Sequence, residues 1–347
     1  MMKLIMKICV ISTPVFSLPV SGYSGLEHLA WLTAKGLAEK GHSVGLVAPE
    51  GSSCPGVSII SNGVAGSWDE RQGYQKYWQE LLKWECIIDE SWNKWSLILK
   101  QEGPLKVPVL SVCHAPIDTM YKKLPPVDKP CFVCISQDQA DHFQALFGRE
   151  AKVAHNGVDA ENFYKPLSIK RSDRFLFLAR FSTIKGPDLA IQAAKEANVG
   201  LDMIGDTSIT NEPEFFESCK RATDGEQIKI IGSATRGECV WWFSQARALL
   251  HLNQRFREPF GLSPVEALGC QCPVIAWNYG AMRETIKHGT TGFLVNSVGD
   301  VVDLIKSKAI DKIDGATCRE WAKQFSVERM VNRYEELCIE AIRTGGW

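Results

Sequence analysis

The chain has no surplus of charge of either sign: 39 Lys and Arg stand against 40 Asp and Glu, a formal net charge of −1 over 347 residues. Neither half is basic, which argues against a nucleic-acid partner and against a strongly cationic membrane-docking face. Paired Cys-x-x-Cys motifs are also missing, although there are twelve cysteines. The single Cys131-Phe132-Val133-Cys134 sits in a strand-like run, where positions three apart project to opposite faces, so it does not read as half of a metal site. Buried, reduced thiols are the expectation. There is no low-complexity tract and no short-period repeat. A charge-free stretch from Ile8 to Leu26 follows two lysines, but Ser12, Thr13, Pro14, Pro19 and Gly22 interrupt it and no Ala-x-Ala cleavage pattern occurs. It reads as a buried strand and a loop rather than a signal peptide or membrane span, and the protein is expected to be cytoplasmic.

What is present is ordinary for a soluble protein: 45% hydrophobic and 23% charged residues. The length suits two domains, each able to bury a core. Met6–Ser12 is a short apolar run of the parallel-sheet kind, and a glycine-containing loop follows at Ser21–Gly25. Leu26, Leu29, Ala30, Thr33 and Leu37 then recur at helical spacing until Gly41, and His42–Ala48 returns as a strand, completing a β-loop-α-β unit. Further strands are expected at Cys86–Asp89, Val109–Cys113 and Cys131–Ile135. After a polar connector from about Glu161 to Asp173, more follow at Phe175–Ala179, Leu201–Ile204, Ile228–Ile231, Ala248–Leu252 and Val274–Ala276. Strands alternating with helices imply α/β domains with doubly wound sheets.

The most informative segment is Arg257-Glu258-Pro259-Phe260-Gly261-Leu262-Ser263-Pro264-Val265-Glu266-Ala267-Leu268. Ser263 is expected to cap a helix, with Pro264 at its first position and Glu266 completing an S-x-x-E capping box. Such a helix start points unpaired N–H groups and a positive dipole end at an anion over Gly261-Leu262-Ser263, and Gly261 lets the backbone come close. Read alone, the box is explained as a cap. Glu258, beside Pro259-Phe260-Gly261, has no capping job. Arg180 and Lys185, at and after the end of a buried strand, read either as a surface pair or as cations at the ligand end of a sheet. His114, just past another strand, reads alone as structural.

The segment from Glu258 to Glu266 resembles the E-x7-E motif of the retaining glycosyltransferases of family 4. Cys272-Pro273-Val274-Ile275-Ala276, Gly280 to Glu284 and His288-Gly289-Thr290-Thr291-Gly292-Phe293-Leu294-Val295 continue the likeness. So do Ala179-Arg180-Phe181 with Lys185-Gly186, the opening around Ser24-Gly25, and the segments at His114 and Asn156. Gln271 stands where the family has Gly, and Asn253-Gln254 where Pro-Ser is commoner.

The resemblance implies a GT-B fold of two Rossmann-like domains facing across a cleft: 1–160 for the acceptor, 161–326 for the donor, and a helix in 327–347 crossing back to the first. It implies a retaining transferase that uses a nucleotide-sugar donor, a UDP-sugar, and a small-molecule, lipid-linked or glycan acceptor. By that likeness Arg180 and Lys185 bind the donor diphosphate, Glu258 the sugar and Glu266 the ribose, with His114 beside the transferred sugar. Gly22 and Gly25 would let the first loop approach the diphosphate. The base is expected near Ile231 and Gly232, and Trp92 at the acceptor. No Asp-x-Asp motif occurs, so neither metal nor other cofactor is expected; two cations and a helix start would meet the diphosphate charge. Two alternatives stay open: a GT-B nucleotide-sugar epimerase and a non-catalytic nucleotide-sugar-binding subunit.

Overall fold

A computed structural model describes residues 4–20, 22, 24–120, 127–207 and 211–347. Ser21 and Tyr23, part of the expected Ser21–Gly25 loop, lie outside the described residues. The chain divides into two compact units, Met1–Gly157 with Val327–Trp347, and Val158–Ser326. Each is built on one parallel sheet.

The first unit's strands are β1 (Lys7–Ile11), β2 (Ser43–Ala48), β3 (Ser58–Ser61), β4 (Cys86–Asp89), β5 (Val109–Cys113), β6 (Phe132–Cys134) and β7 (Lys152–Val153). They lie in the order β3-β2-β1-β4-β5-β6-β7. The second unit's are β8 (Phe175–Leu178), β9 (Leu201–Ile204), β10 (Ile228–Gly232), β11 (Leu249–His251), β12 (Val274–Trp277) and β13 (Gly292–Val295), ordered β10-β9-β8-β11-β12-β13. Central strands are apolar on consecutive positions because helices cover both faces; Cys86–Asp89, Val109–Cys113, Phe175–Leu178 and Leu201–Ile204 are buried along their whole length. In both sheets the winding reverses once, between β1 and β4 and between β8 and β11. In open α/β sheets the ligand crevice opens at the carboxyl ends of the strands at such a point.

Boundaries move where backbone geometry intervenes. β6 starts at Phe132 because Cys131 has φ +46°, outside the strand region. β3 and β7 escape a hydrophobicity-based reading because they are edge strands, short and only partly buried. The helix Leu26–Glu39 ends where expected, with Gly41 at φ +89°.

The last helix, Val327–Thr344, packs in the first unit. A Cβ at Gly36 would stand 2.5 Å from Val331 Cγ2, so the two helices approach as closely as they do only because residue 36 has no side chain. Glu335 closes the contact, accepting from Lys40 Nζ at 2.8 Å and lying 2.8 Å from His42 Nε2. Partial burial pushes the Glu335 carboxyl up, but Lys40 and His42 outweigh it and hold the carboxyl below the usual range. No helix among the described residues is long and apolar enough to cross a membrane.

Candidate functional site

In the second unit Arg180, Lys185 and Glu258 gather at the β8/β11 reversal. Arg180 lies two residues past β8, exposed, with no ion-pair partner among the described residues. Lys185 closes the 3-10 turn Thr183–Lys185, whose start is held by Glu212 accepting from the Thr183 N–H at 2.8 Å. The two cations therefore differ in setting. Lys185 Nζ donates to Glu258 Oε2 at 2.6 Å and lies 4.9 Å from the centroid of Phe256.

Glu258 is 8% exposed. Its Oε2 also accepts from Asn253 Nδ2 at 2.9 Å, while His251 Nε2 stands 3.7 Å away, too far for a hydrogen bond but close enough to act by charge. Burial pushes the carboxyl up, yet the Lys185 and His251 charges prevail and hold it well below the usual carboxylate range. Oε1 takes no hydrogen bond among the described residues. The backbone carrying Glu258 is fixed by Gly280: a Cβ there would meet Glu258 O at 2.7 Å and Glu258 N at 2.8 Å, and φ is +63°. His251 was not singled out from sequence, and Asn253 was noted only as a departure from the family pattern. They stand at the end of the central strand β11, two residues apart and so directed to one side, which is the signal that could have found them.

One expectation is overturned. Ser263 does not cap the helix, and no capping box joins it to Glu266. The helix runs Leu262–Gly269 with Gly261 at the N-cap position and no side-chain cap. The reason is backbone conformation: Gly261 sits at φ +81°, so the chain turns into the helix two residues early. Pro264 then falls at the third helical position, where the missing N–H costs no helix bond. Glu266, 1% exposed, lies 3.8 Å from Arg236 Nη1, which also donates to Tyr164 Oη at 3.0 Å. Gly261, Leu262 and Ser263 still form the helix start beside Glu258, with a Cβ at Gly261 3.5 Å from Glu258 Cγ. Ile231 and Gly232 end β10; Ile231 is 46% exposed and Gly232 has φ +105° with open space where a Cβ would be.

In the first unit, His114 is the first residue after β5 and its Nε2 lies 3.2 Å from Oε2 of Glu90, the first after β4. Sequence reasoning missed Glu90. Trp92 is half-buried and stacks on the exposed Trp68, ring centroids 5.3 Å apart and planes within 4°. Its loop is anchored by buried Glu70, which accepts the Trp92 N–H at 2.9 Å and the Asn93 N–H at 2.8 Å. Burial pushes the Glu70 carboxyl up, and those two bonds offset it only in part. Gly25 stands at the N-cap of the helix Leu26–Glu39 with φ −78°, a conformation open to any residue, and a Cβ on Gly22 would meet nothing within 4 Å. The loop is instead tied down by buried Glu27, which accepts from Thr13 Oγ1 at 2.5 Å and from Ser24 Oγ.

Comparison with known proteins bears on the fold. Residues 159–324 match the family model described as Glycosyl transferases group 1. An uncharacterized glycosyltransferase of Methanocaldococcus jannaschii is 27% identical over 215 residues, 59% of each chain. A D-inositol 3-phosphate glycosyltransferase of Catenulispora acidiphila is 30% identical over 188 residues, 47% of this chain and 44% of the relative. The chain thus spans only about half the length of these curated relatives. The crystal structure of Anabaena HepE in complex with UDP-glucose superposes with a TM-score of 0.74 at 18% identity, covering 96% of this chain and 100% of that one. With residues 159–324 matching the group 1 glycosyltransferase model and two parallel-sheet Rossmann-like units, the chain has the GT-B glycosyltransferase fold.

Proposed function

We propose that the chain is a retaining, metal-independent glycosyltransferase that takes a sugar from a nucleotide-sugar donor, a UDP-sugar, and passes it to a small-molecule or lipid-linked acceptor. The observation that carries this is the buried Glu258, held ionised by Lys185, at the sheet end where Arg180 stands exposed. Cleaving a sugar–phosphate bond leaves a diphosphate whose growing charge must be met by preorganised donors. Arg180, Lys185 and the first-turn N–H groups at Leu262 and Ser263 supply them. Donor binding would move Lys185 from Glu258 towards the diphosphate, while Glu258 Oε1 accepts a hydroxyl of the sugar. Glu266 takes the ribose, and the backbone at Ile231 and Gly232 takes the base. The UDP-glucose bound by HepE and the inositol phosphate named for the Catenulispora relative support the donor and acceptor classes.

The acceptor is assigned to the first unit, at His114 and the Trp92–Trp68 stack. A sugar ring or flat heterocycle packs well on such a face. The chain is incubated with a panel of nucleotide sugars, and free nucleoside diphosphate is measured. Transfer or slow hydrolysis accumulates it. Epimerisation without accumulation, or a thermal shift with no turnover, would replace this reading with the epimerase or the binding subunit.

A further inference from the structure

Two carboxylates stand in succession at the end of β4, and the fold uses only one of them. Asp89 is consumed locally: it accepts from the Ser91 N–H at 3.0 Å, from Ser91 Oγ at 2.5 Å and from Ser96 Oγ, with buried Lys94 Nζ 3.9 Å away. Glu90 caps no helix and joins no such knot. It is 1% exposed, its backbone N–H is bonded to Ile11 O at 3.0 Å, and its side chain meets His114 Nε2 at 3.2 Å. Its other oxygen, Oε1, is buried without a hydrogen-bond partner. A buried carboxylate left half-satisfied lowers stability, so packing alone gives no reason for it. The Glu90 charge is also felt by Tyr334 on the helix Val327–Thr344, whose phenol burial and then Glu90 push well above its ordinary value. Cys338 of the same helix and Cys113 at the end of β5 act on that phenol in the same direction.

We propose that Glu90 is a positioning residue for His114, and that the pair presents the Nδ1 lone pair of His114 to a hydroxyl of the acceptor, an inference that rests on the acceptor assignment above. A carboxylate can only accept, so the ring nitrogen facing it carries the proton. A neutral imidazole has one N–H, which leaves Nδ1 as an acceptor. The side chain of His114 is 7% exposed, so the ring is held rather than free to turn. A hydroxyl donating to Nδ1 would be fixed in direction before it meets the donor sugar.

The test combines nitrogen-15 NMR of the neutral His114 ring with transfer assays on Glu90→Gln, Glu90→Ala, His114→Ala and the double variant Glu90→Ala with His114→Ala. Glucose serves as the probe acceptor, with the donor found by the nucleotide-sugar panel. In the parent, Nε2 should be protonated and Nδ1 bare; Glu90→Ala should mix the tautomers, and Glu90→Gln, which can still accept, should retain more of the parent pattern. Acceptor-dependent turnover should fall about ten- to a hundredfold in Glu90→Ala, with the double variant no lower than His114→Ala alone. Protonated Nδ1 in the parent overturns the proposal, and so do losses that multiply in the double variant. If the parent consumes no nucleotide sugar, the glycosyltransferase reading fails, and the tautomer alone then decides the Glu90 pairing.

Discussion

Lys185 and Arg180 show how differently two cations of one motif can be held. Lys185 is half of a largely buried pair, so Lys185→Ala removes the nearer of the two cations beside Glu258, leaving only His251, and should cost about 3 kcal/mol of stability as well as donor affinity. Arg180 has no ion-pair partner among the described residues, so Arg180→Ala should leave stability within about 0.5 kcal/mol. It should nonetheless weaken UDP binding about ten- to a hundredfold, the loss of a charge-assisted contact. Thermal melts beside calorimetric UDP titration separate the two, and equal losses of stability would contradict the difference in setting. Glu258 adds a pH dependence. Its carboxyl is depressed in the folded chain, so the stability it contributes is complete above about pH 4.3, the unfolded value, and is lost as pH falls below that towards its folded value. Glu258→Gln should flatten the acid limb of the stability curve; an unchanged acid limb would mean the carboxylate is not held as described.

At the scale of elements, the helix Leu262–Gly269 begins by backbone conformation and not by a side-chain cap. Ser263→Ala should therefore change the melting free energy by less than about 0.5 kcal/mol, against about 1 kcal/mol for a lost N-cap. A loss of the larger size would restore Ser263 as the cap. Gly280→Ala should be worse, about 1–3 kcal/mol, because the new methyl group meets the Glu258 backbone and the residue holds φ +63°. Turnover should fall with it, since the loop that carries Glu258 has to move. Most central strands were legible from apolar runs, and Cys86–Asp89, Val109–Cys113 and Leu201–Ile204 have the very ends that the pattern implies. The helix start at Gly261 was not legible, because a Ser-Pro-x-Glu run fits a cap equally well and only φ at Gly261 decides between them.

For the whole molecule, the helix Val327–Thr344 completes the first unit from the far end of the chain. Its Cys338 meets Cys86 of β4, and all twelve cysteines are buried. Burial pushes thiols such as Cys272 up to about 12, which adds to their inertness. The intact chain should therefore react slowly with a thiol reagent, whereas a chain ending at Ser326 should expose Cys86 and react at once; equal rates would show that the first unit folds without the helix. Transfer should also survive a chelator, because Arg180, Lys185 and the helix start are assigned the role a metal would fill. Loss of transfer in EDTA restored by magnesium or manganese would end that assignment.

The sequence by itself determined the α/β class and the paired sheets, because apolar runs and turn residues are local properties of the chain, whereas the roles of Arg180, Lys185, Glu258 and Glu266 towards a diphosphate and a sugar were implied only by a resemblance of motifs. Only the tertiary structure decided who stands beside whom. That Lys185 neutralises Glu258 and that Glu90 meets His114 follow from neighbouring strands ending side by side; that His251 and Asn253 join Glu258 follows from the course of the loop after β11, and that Glu266 faces Arg236 from the packing of two helices. The reversal of winding between β8 and β11 brings Lys185 beside Glu258, the pairing of β4 with β5 brings Glu90 beside His114, and strand order is a property of packing that no local pattern encodes.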